Sequence, residues 1–524
     1  MKKFLAILLT LAIFATGCDV NVTVLGVPEV PAETEDLDGT AESAEKAENY
    51  QDAAPDIDTF MAELESIDGI TDVSKDENDL ITAHIEQPLD WNGGTDVTYK
   101  ELLNIKYAGA DLPVCYCVGG YNIDTSSSDS VLFPADYDYN AVRIEYRFYG
   151  DSLPEGVTAD SADLWEYLTV ENAAEDIHAI ISKLGTILTG KVVMTGVSKG
   201  GFTTNFQAYK YPEDADLFVS ICAPACESIS DPAMYDFINY HVGDDVVGEE
   251  TAAELRNIIL DFQVECIRYK NDLKEDFLKL AIESVEEGEN GYRQLLKEDG
   301  GARLYDLAVA DLPAAVWMAQ GNYLDYGSAE GIRSVLGGIV DMPADTEEEI
   351  EVKQKAVFDE LVGIDSPDGY SCSFDNVLFP YTMQSAMQMG NYALDMTPLR
   401  ERIASEQERN PAFPDLTITK EEEKTILCRA YLTDEQMEMA SRFDFVHDEL
   451  AGWQETTEAI VFMVSGAVDP WYSVSLPPCD NPNIQRVVVK SGPGSSTIGH
   501  VCIVWYYDEE TMNSIYDALR GLQE

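Results

Sequence analysis

Residues 192–201 read Val-Val-Met-Thr-Gly-Val-Ser-Lys-Gly-Gly, an apolar β-branched run that closes on Gly196-Val197-Ser198-Lys199-Gly200. No other stretch of the chain restricts its architecture so strongly. A strand that turns straight into a helix through Gly-x-Ser-x-Gly holds the serine in a strained backbone conformation. Side chains in place of the two glycines would collide with the neighbouring strand or helix. The hydroxyl is thereby presented at a sheet edge, close to the positive end of the following helix. Five-residue patterns recur by chance, so the meaning of this one depends on its surroundings.

Those surroundings alternate. Short apolar or alternating runs at 82–87, 102–107, 112–118 and 141–146, each bounded by Gly, Pro or Asp, read as strands. Next, Val170, Ala173, Ala174, Ile177, Ile180, Ile181 and Leu184 fall at helical spacing, with Glu171, Glu175 and Asp176 on the opposite face. Strands at 191–195 and 217–222 then flank the helix that begins at Ser198. Strands alternating with helices imply a mostly parallel sheet covered on both faces, an α/β fold of the α/β-hydrolase class. From 231 to 457 the rhythm is broken by helix-like segments at 251–269, 274–287 and 420–439, which read as a lid inserted into the core. The strand rhythm resumes at 459–464 and 486–489, and an amphipathic helix at 509–522 closes the chain. The core is thus expected in two parts, 57–230 and 458–524, around a helical insertion at 231–457. Two short stretches, Gly321-Asn322-Tyr323 and Gly390-Asn391-Tyr392, echo each other without a period, and coincidence is the default reading.

A serine hydroxyl is a weak nucleophile until a base within hydrogen-bonding reach takes its proton and an acid orients that base. In this fold class the chain order is serine, acid, histidine. The sequence has five histidines. His84 and His178 precede Ser198, and His241 and His447 fall in the helical insertion. His500 follows a late strand and the Gly- and Ser-rich loop 491–496, and is the expected base. Asp469 lies just past the 459–464 strand, at the edge of a parallel sheet where catalytic loops gather, and is the expected acid. The negative oxygen formed on attack needs donors fixed in advance. The backbone N–H of Lys199 is one candidate. The N–H of Tyr121, after Gly119-Gly120, is the other.

At the N-terminus, Met1-Lys2-Lys3, a short apolar stretch and Ala15-Thr16-Gly17-Cys18 have the form of an export signal over 1–17, with Cys18 in the place where a bacterial lipobox is acylated. Residues 18–56 are acidic and poor in large apolar side chains, the composition of a solvated tether. An extracytoplasmic lipoprotein held to the membrane by acyl chains is the expectation. Lys and Arg number 33 against 97 Asp and Glu, a net charge of −64 that repels nucleic acid and argues against such partners. Ten cysteines less Cys18 leave an odd number in a compartment that permits disulfides, with Cys222–Cys226 and Cys479–Cys502 the first pairs to consider. Cys115 and Cys117 alternate as residues of a buried strand would. None has zinc-site spacing.

With these residues placed, the chain resembles the secreted prolyl tri- and tetrapeptidyl aminopeptidases of bacteria, distant relatives of the lysosomal Pro-Xaa carboxypeptidase and dipeptidyl peptidase group. The likeness is carried by Glu86-Gln87-Pro88-Leu89-Asp90, by Gly119-Gly120-Tyr121 and by Glu145-Tyr146-Arg147-Phe148-Tyr149-Gly150-Asp151-Ser152. Trp165-x-Tyr167-Leu168, Asp176-x-His178, the Ser198-Lys199-Gly200-Gly201 elbow, Tyr211-Pro212, Asp469-Pro470-Trp471 and His500 continue it. The resemblance implies a Ser198, Asp469, His500 triad, peptide substrates, no metal and no cofactor, and release of short N-terminal peptides, often with proline on the acyl side of the cut. It also implies substrate contacts at Gln388 and Trp471. The chain departs from the family pattern at Trp91 and Tyr146, where histidines are usual, and at Gln388, where a glutamate would anchor a substrate amine. An esterase or lipase with the same triad, and a non-catalytic binding lipoprotein on this scaffold, are the alternative readings.

Overall fold

The computed structural model describes residues 56–126, 138–285, 291–318, 329–490 and 499–500. Cys18, the signal and tether up to residue 55, the loop at 491–498, Cys502, the 509–522 helix and the Gly321-Asn322-Tyr323 echo lie outside the described residues.

Nine strands form one sheet: β1 Ile70–Lys75, β2 Ile81–Pro88, β3 Thr98–Lys106, β4 Val114–Val118, β5 Asn140–Ile144, β6 Val192–Val197, β7 Leu217–Ile221, β8 Val461–Gly466 and β9 Ile484–Val489. Their order is β1-β2-β3-β5-β4-β6-β7-β8-β9. The first three strands and β5 pair antiparallel, and all pairs from β5 to β9 are parallel. This is the α/β-hydrolase core expected from the sequence. Burial explains the division. Every residue of β5, β7 and β8 is buried, as in a sheet covered on both faces, whereas β2 alternates buried and partly exposed positions. Strand β1 escapes a reading by periodicity because only Ile70 of its six residues is buried.

Four helices matter for placing the site. Helix α1, Val170–Leu184, is capped by Thr169, whose hydroxyl accepts the Asn172 N–H, and it packs Ile177, Ile180, Ile181 and Leu184 inward. One expectation fails here: Asp176 is not on the solvent face but buried. A carboxylate can be buried only with partners, and Asp176 accepts from Arg147 Nε at 2.6 Å, Trp91 Nε1 at 2.7 Å and Tyr99 Oη at 2.8 Å. Arg147 Nη1 donates to the carbonyls of Leu89 and Tyr167, and Nη2 to Asp176 Oδ1 and Pro88 O. Helix α2, Lys199–Lys210, follows the Ser198 turn directly.

Between β7 and β8 the chain is helical, with no strand among the described residues of that stretch. The two segments expected at 251–269 and 274–287 are one 36-residue helix, α3, Glu249–Ser284. Lys270, in the gap between those two segments, lies on the buried face of the helix, with Nζ 2.7 Å from Asp306 Oδ2. The helix expected over 420–439 is instead interrupted: Thr433 and Gln436 form a capping box that starts a new helix, Asp434–Ala440. Helix α4, Gln294–Met318, has non-helical backbone at 298–301, and its last turn reaches the sheet edge that carries Ser198. No helix among the described residues is long and apolar enough to cross a membrane.

Candidate active site

Ser198 stands between β6 and α2 at φ +58° and ψ −122°, a strained conformation for a residue with a side chain. Close packing imposes it. The Ser198 N–H donates to Ile221 O at 2.8 Å, and a Cβ on Gly200 would sit 2.1 Å from Val118 O, so the strand-to-helix turn is pressed against β4 and β7. The sequence motif therefore has the strand, turn and helix that its chemistry requires.

Two later loops deliver the partners. Asp469 caps the short helical turn Pro470–Val474, and its Oδ1 accepts the Trp471 N–H at 2.9 Å. That leaves Oδ2 for His500, whose Nδ1 lies 2.8 Å away. On the other side of the ring, Nε2 is 2.9 Å from Ser198 Oγ, across 302 residues of chain. All three side chains are buried, and the His500 N–H donates to Met318 O at the end of α4 at 3.3 Å. With Nδ1–H donated to the carboxylate, Nε2 is the acceptor for the serine hydroxyl. The other four histidines are elsewhere. His178 stacks on Tyr211 and bonds Asp214, and His84, His241 and His447 lie beside surface aspartates.

Tyr121 reaches the nucleophile by a route the sequence does not suggest. Burial pushes its phenol up to about 12, while hydrogen bonding with the Ser198 side chain and the Lys199 backbone acts in the opposite direction. Its hydroxyl thus lies beside the Ser198 side chain and the Lys199 backbone. The loop is held there by Lys199. This side chain is fully buried with no carboxylate partner among the described residues; its Nζ donates to Gly120 O at 2.6 Å and lies 3.1 Å from the Tyr146 ring centre. Burial holds its amine well below the ordinary lysine range. Gly120, at φ +76°, lies so near α2 that a Cβ would meet Gly200 N at 2.7 Å.

Trp471 joins the site: its ring centre is 6.1 Å from that of His500, and Nε1 points at Met318 Sδ. Tyr381 and Tyr392 extend this aromatic wall, at 6.3 and 5.3 Å from Trp471. Gln388 is engaged differently. Its Oε1 accepts the Val170 N–H and its Nε2 donates to Glu171, so the amide holds the first turn of α1. The Cys222–Cys226 pairing does not form. Cys226 is a thiol packed against Gly390, and the Cys222 thiol donates to His500 O at 2.8 Å. Cys479 is also a thiol. Tyr381, Tyr392 and Met318 carry no sequence signal of their own.

The model of the PS-10 peptidase S37 family matches residues 53–411, a stretch that contains Ser198 and ends before Asp469 and His500. The prolyl tri/tetrapeptidyl aminopeptidase of Streptomyces mobaraensis is 27% identical over 190 residues, 36% of this chain and 38% of the relative, so the match spans well under half of that protein. Among solved structures, a thermophilic esterase from Thermogutta terrifontis is 12% identical at a TM-score of 0.32, covering 84% of this chain and 99% of the esterase. The proline iminopeptidase of Mycobacterium smegmatis is 12% identical at a TM-score of 0.31, covering 84% of this chain and 99% of that one. At such scores the fold rests on the strand order described above. The family match covers well over half of the chain, which therefore belongs to the PS-10 peptidase S37 family.

Proposed function

We propose that this peptidase releases short peptides from the N-terminus of its substrates through a Ser198, His500, Asp469 triad and an acyl-enzyme. The observation that carries the reading is the unbroken chain of contacts, 2.9 Å from Ser198 Oγ to His500 Nε2 and 2.8 Å from Nδ1 to Asp469 Oδ2. His500 takes the serine proton as Oγ bonds to the scissile carbonyl carbon, and Asp469 stabilises the imidazolium that results. The carbonyl oxygen becomes an oxyanion received by the Lys199 N–H and the Tyr121 hydroxyl. Collapse breaks the peptide bond, His500 protonates the leaving amine, and water attacks the acyl-enzyme by the same route in reverse.

Proline on the acyl side is favoured by the wall of Tyr381, Tyr392 and Trp471 beside His500, a flat apolar surface for a pyrrolidine ring. The helices between β7 and β8 act in this reading as a lid that admits short peptides. Export by the 1–17 signal, acylation of Cys18 and a solvated tether would hold the enzyme outside the cytoplasm at the membrane.

A fluorophosphonate probe should label the purified protein and fail on Ser198→Ala. Proline-containing tripeptide amides should be cut much faster than short acyl esters, and the reverse preference would make the protein an esterase. Folded protein that takes no label would remove the catalytic reading. Incorporation of a fatty-acid analogue, lost in Cys18→Ala, tests the anchor.

A further inference from the structure

Asp311 and Asp365 stand apart from the triad, and acyl transfer gives them no task. Asp311 lies on α4 and accepts from Tyr392 Oη at 3.0 Å and from Tyr235 Oη at 3.2 Å. Asp365 Oδ2 accepts from Tyr370 Oη at 2.5 Å, and its Oδ1 has no hydrogen-bond partner among the described residues. Burial pushes Asp311 up to about 6, and burial followed by the charge of Asp311 holds Asp365 well above the ordinary carboxylate range. No Lys, Arg or His among the described residues offsets either charge. Both residues nevertheless keep some accessible surface, so they line a recess within the fold rather than a sealed core. Two interior carboxylates without a counter-charge are costly unless a cation enters.

The recess adjoins the reaction centre. The Tyr392 ring, whose hydroxyl donates to Asp311, stands 5.3 Å from Trp471, and the Trp471 ring centre is 6.1 Å from that of His500. Helix α4 joins the same two places, because Met318 at its end accepts the His500 N–H through its carbonyl and meets Trp471 Nε1 through its sulfur. The rise along α4 from Asp311 to Met318 is about 10 Å. Three residues of extended peptide also reach about 10 Å. Gln388, where the resemblance implies a substrate contact, is engaged with α1 instead.

We infer that Asp311 and Asp365 together receive the α-ammonium group of the substrate's first residue and so set the length of the peptide released, with a tripeptide favoured. An ammonium brings the charge that the pair lacks and three N–H donors for its oxygens. The Tyr235, Tyr392 and Tyr370 hydroxyls fix the two carboxylates without neutralising them. The inference rests on the aminopeptidase reading above, and the test separates the two.

The full-length protein is given a proline-containing tripeptide amide and its des-amino analogue, and kcat/KM is measured for each. Wild type should favour the free amine about 10²-fold. Asp311→Asn and Asp365→Asn should each cut that preference about tenfold or more, chiefly through KM. Thermal melts check folding, and if one variant does not fold the other decides. Both substrates slowed alike, or a preference unchanged in either folded variant, overturns the anchor while the aminopeptidase reading stands. If wild type cuts the two substrates equally, the aminopeptidase reading falls and the anchor with it. Digests of longer peptides read by mass spectrometry should give mainly tripeptides, and dipeptides in their place would overturn the assigned length.

Discussion

At the scale of single residues, the division of labour around Ser198 makes distinct demands on its neighbours. Asp469 accepts from both the Trp471 N–H and His500 Nδ1, so an amide in its place would keep the turn and lose the imidazole's orientation. Asp469→Asn should lower kcat about 10⁴-fold with little change in thermal stability, read by steady-state kinetics beside a melting curve. In the proposed reaction Tyr121 supplies a hydroxyl, where the sequence suggests only a backbone N–H. Tyr121→Phe removes that hydroxyl and leaves the ring packing against Tyr149 and Tyr381. It should lower kcat about 10²–10³-fold and leave KM nearly unchanged, the signature of an interaction made in the transition state. A fall in KM-dependent binding with kcat intact would assign Tyr121 to ground-state contacts instead.

At the scale of elements, one buried polar centre ties the antiparallel strands and the loop after β5 to helix α1, and a second, at Glu145, ties that loop to Ile123 and Ser152. Asp176 of α1 closes the Arg147 guanidinium against β2 and β3, and its removal would leave a cation buried without a counter-charge. Asp176→Ala should destabilise the fold by about 3–5 kcal/mol in urea denaturation, far more than a substitution at the exposed face of the same helix. Glu145, just past β5, is pushed up to about 7 by burial, against the Ser152 side-chain and Ile123 and Ser152 N–H hydrogen bonds. A carboxyl raised in the folded state keeps its proton where the unfolded chain has lost it, so folding binds protons and stability falls as pH rises through this range. The loss begins near the ordinary carboxyl value of 4.5 and is complete above about 7. It amounts to something on the order of 3 kcal/mol. Urea midpoints at about pH 5 and about pH 8 should show this drop, and Glu145→Gln should flatten it.

Over the whole molecule, the net charge of −64 sets the behaviour of the surface. Self-repulsion of like charges opposes compaction and is screened by salt. The melting temperature should rise by a few degrees between low ionic strength and about 0.5 M sodium chloride, where the Debye length falls to a few ångströms. A melting temperature that falls with salt would mean that surface ion pairs outweigh the net repulsion. The same field repels polyanions and offers no barrier to peptides with a free amino group.

Local order was legible where a residue's neighbours in the chain determine its conformation. Gly196-x-Ser198-x-Gly200 required a strand, a turn and a helix because only glycines tolerate that approach of backbone to backbone, and the parallel strands from β4 to β9 announced themselves as apolar runs. Ser198, Asp469 and His500 could be nominated from chain order and strand ends. What only the tertiary structure decided depends on contacts between distant segments. Asp176 reads as a solvent-facing residue until Arg147 is brought to it. The gap expected after residue 269 is the middle of a 36-residue helix, with Lys270 buried against Asp306. The Tyr121 hydroxyl beside Ser198, the engagement of Gln388 with α1 and the Cys222 thiol under His500 likewise arise from packing across the sheet edge. Periodicity and propensity act over a few residues, whereas buried charges and hydroxyls are placed by whichever partners the completed fold brings within about 3 Å.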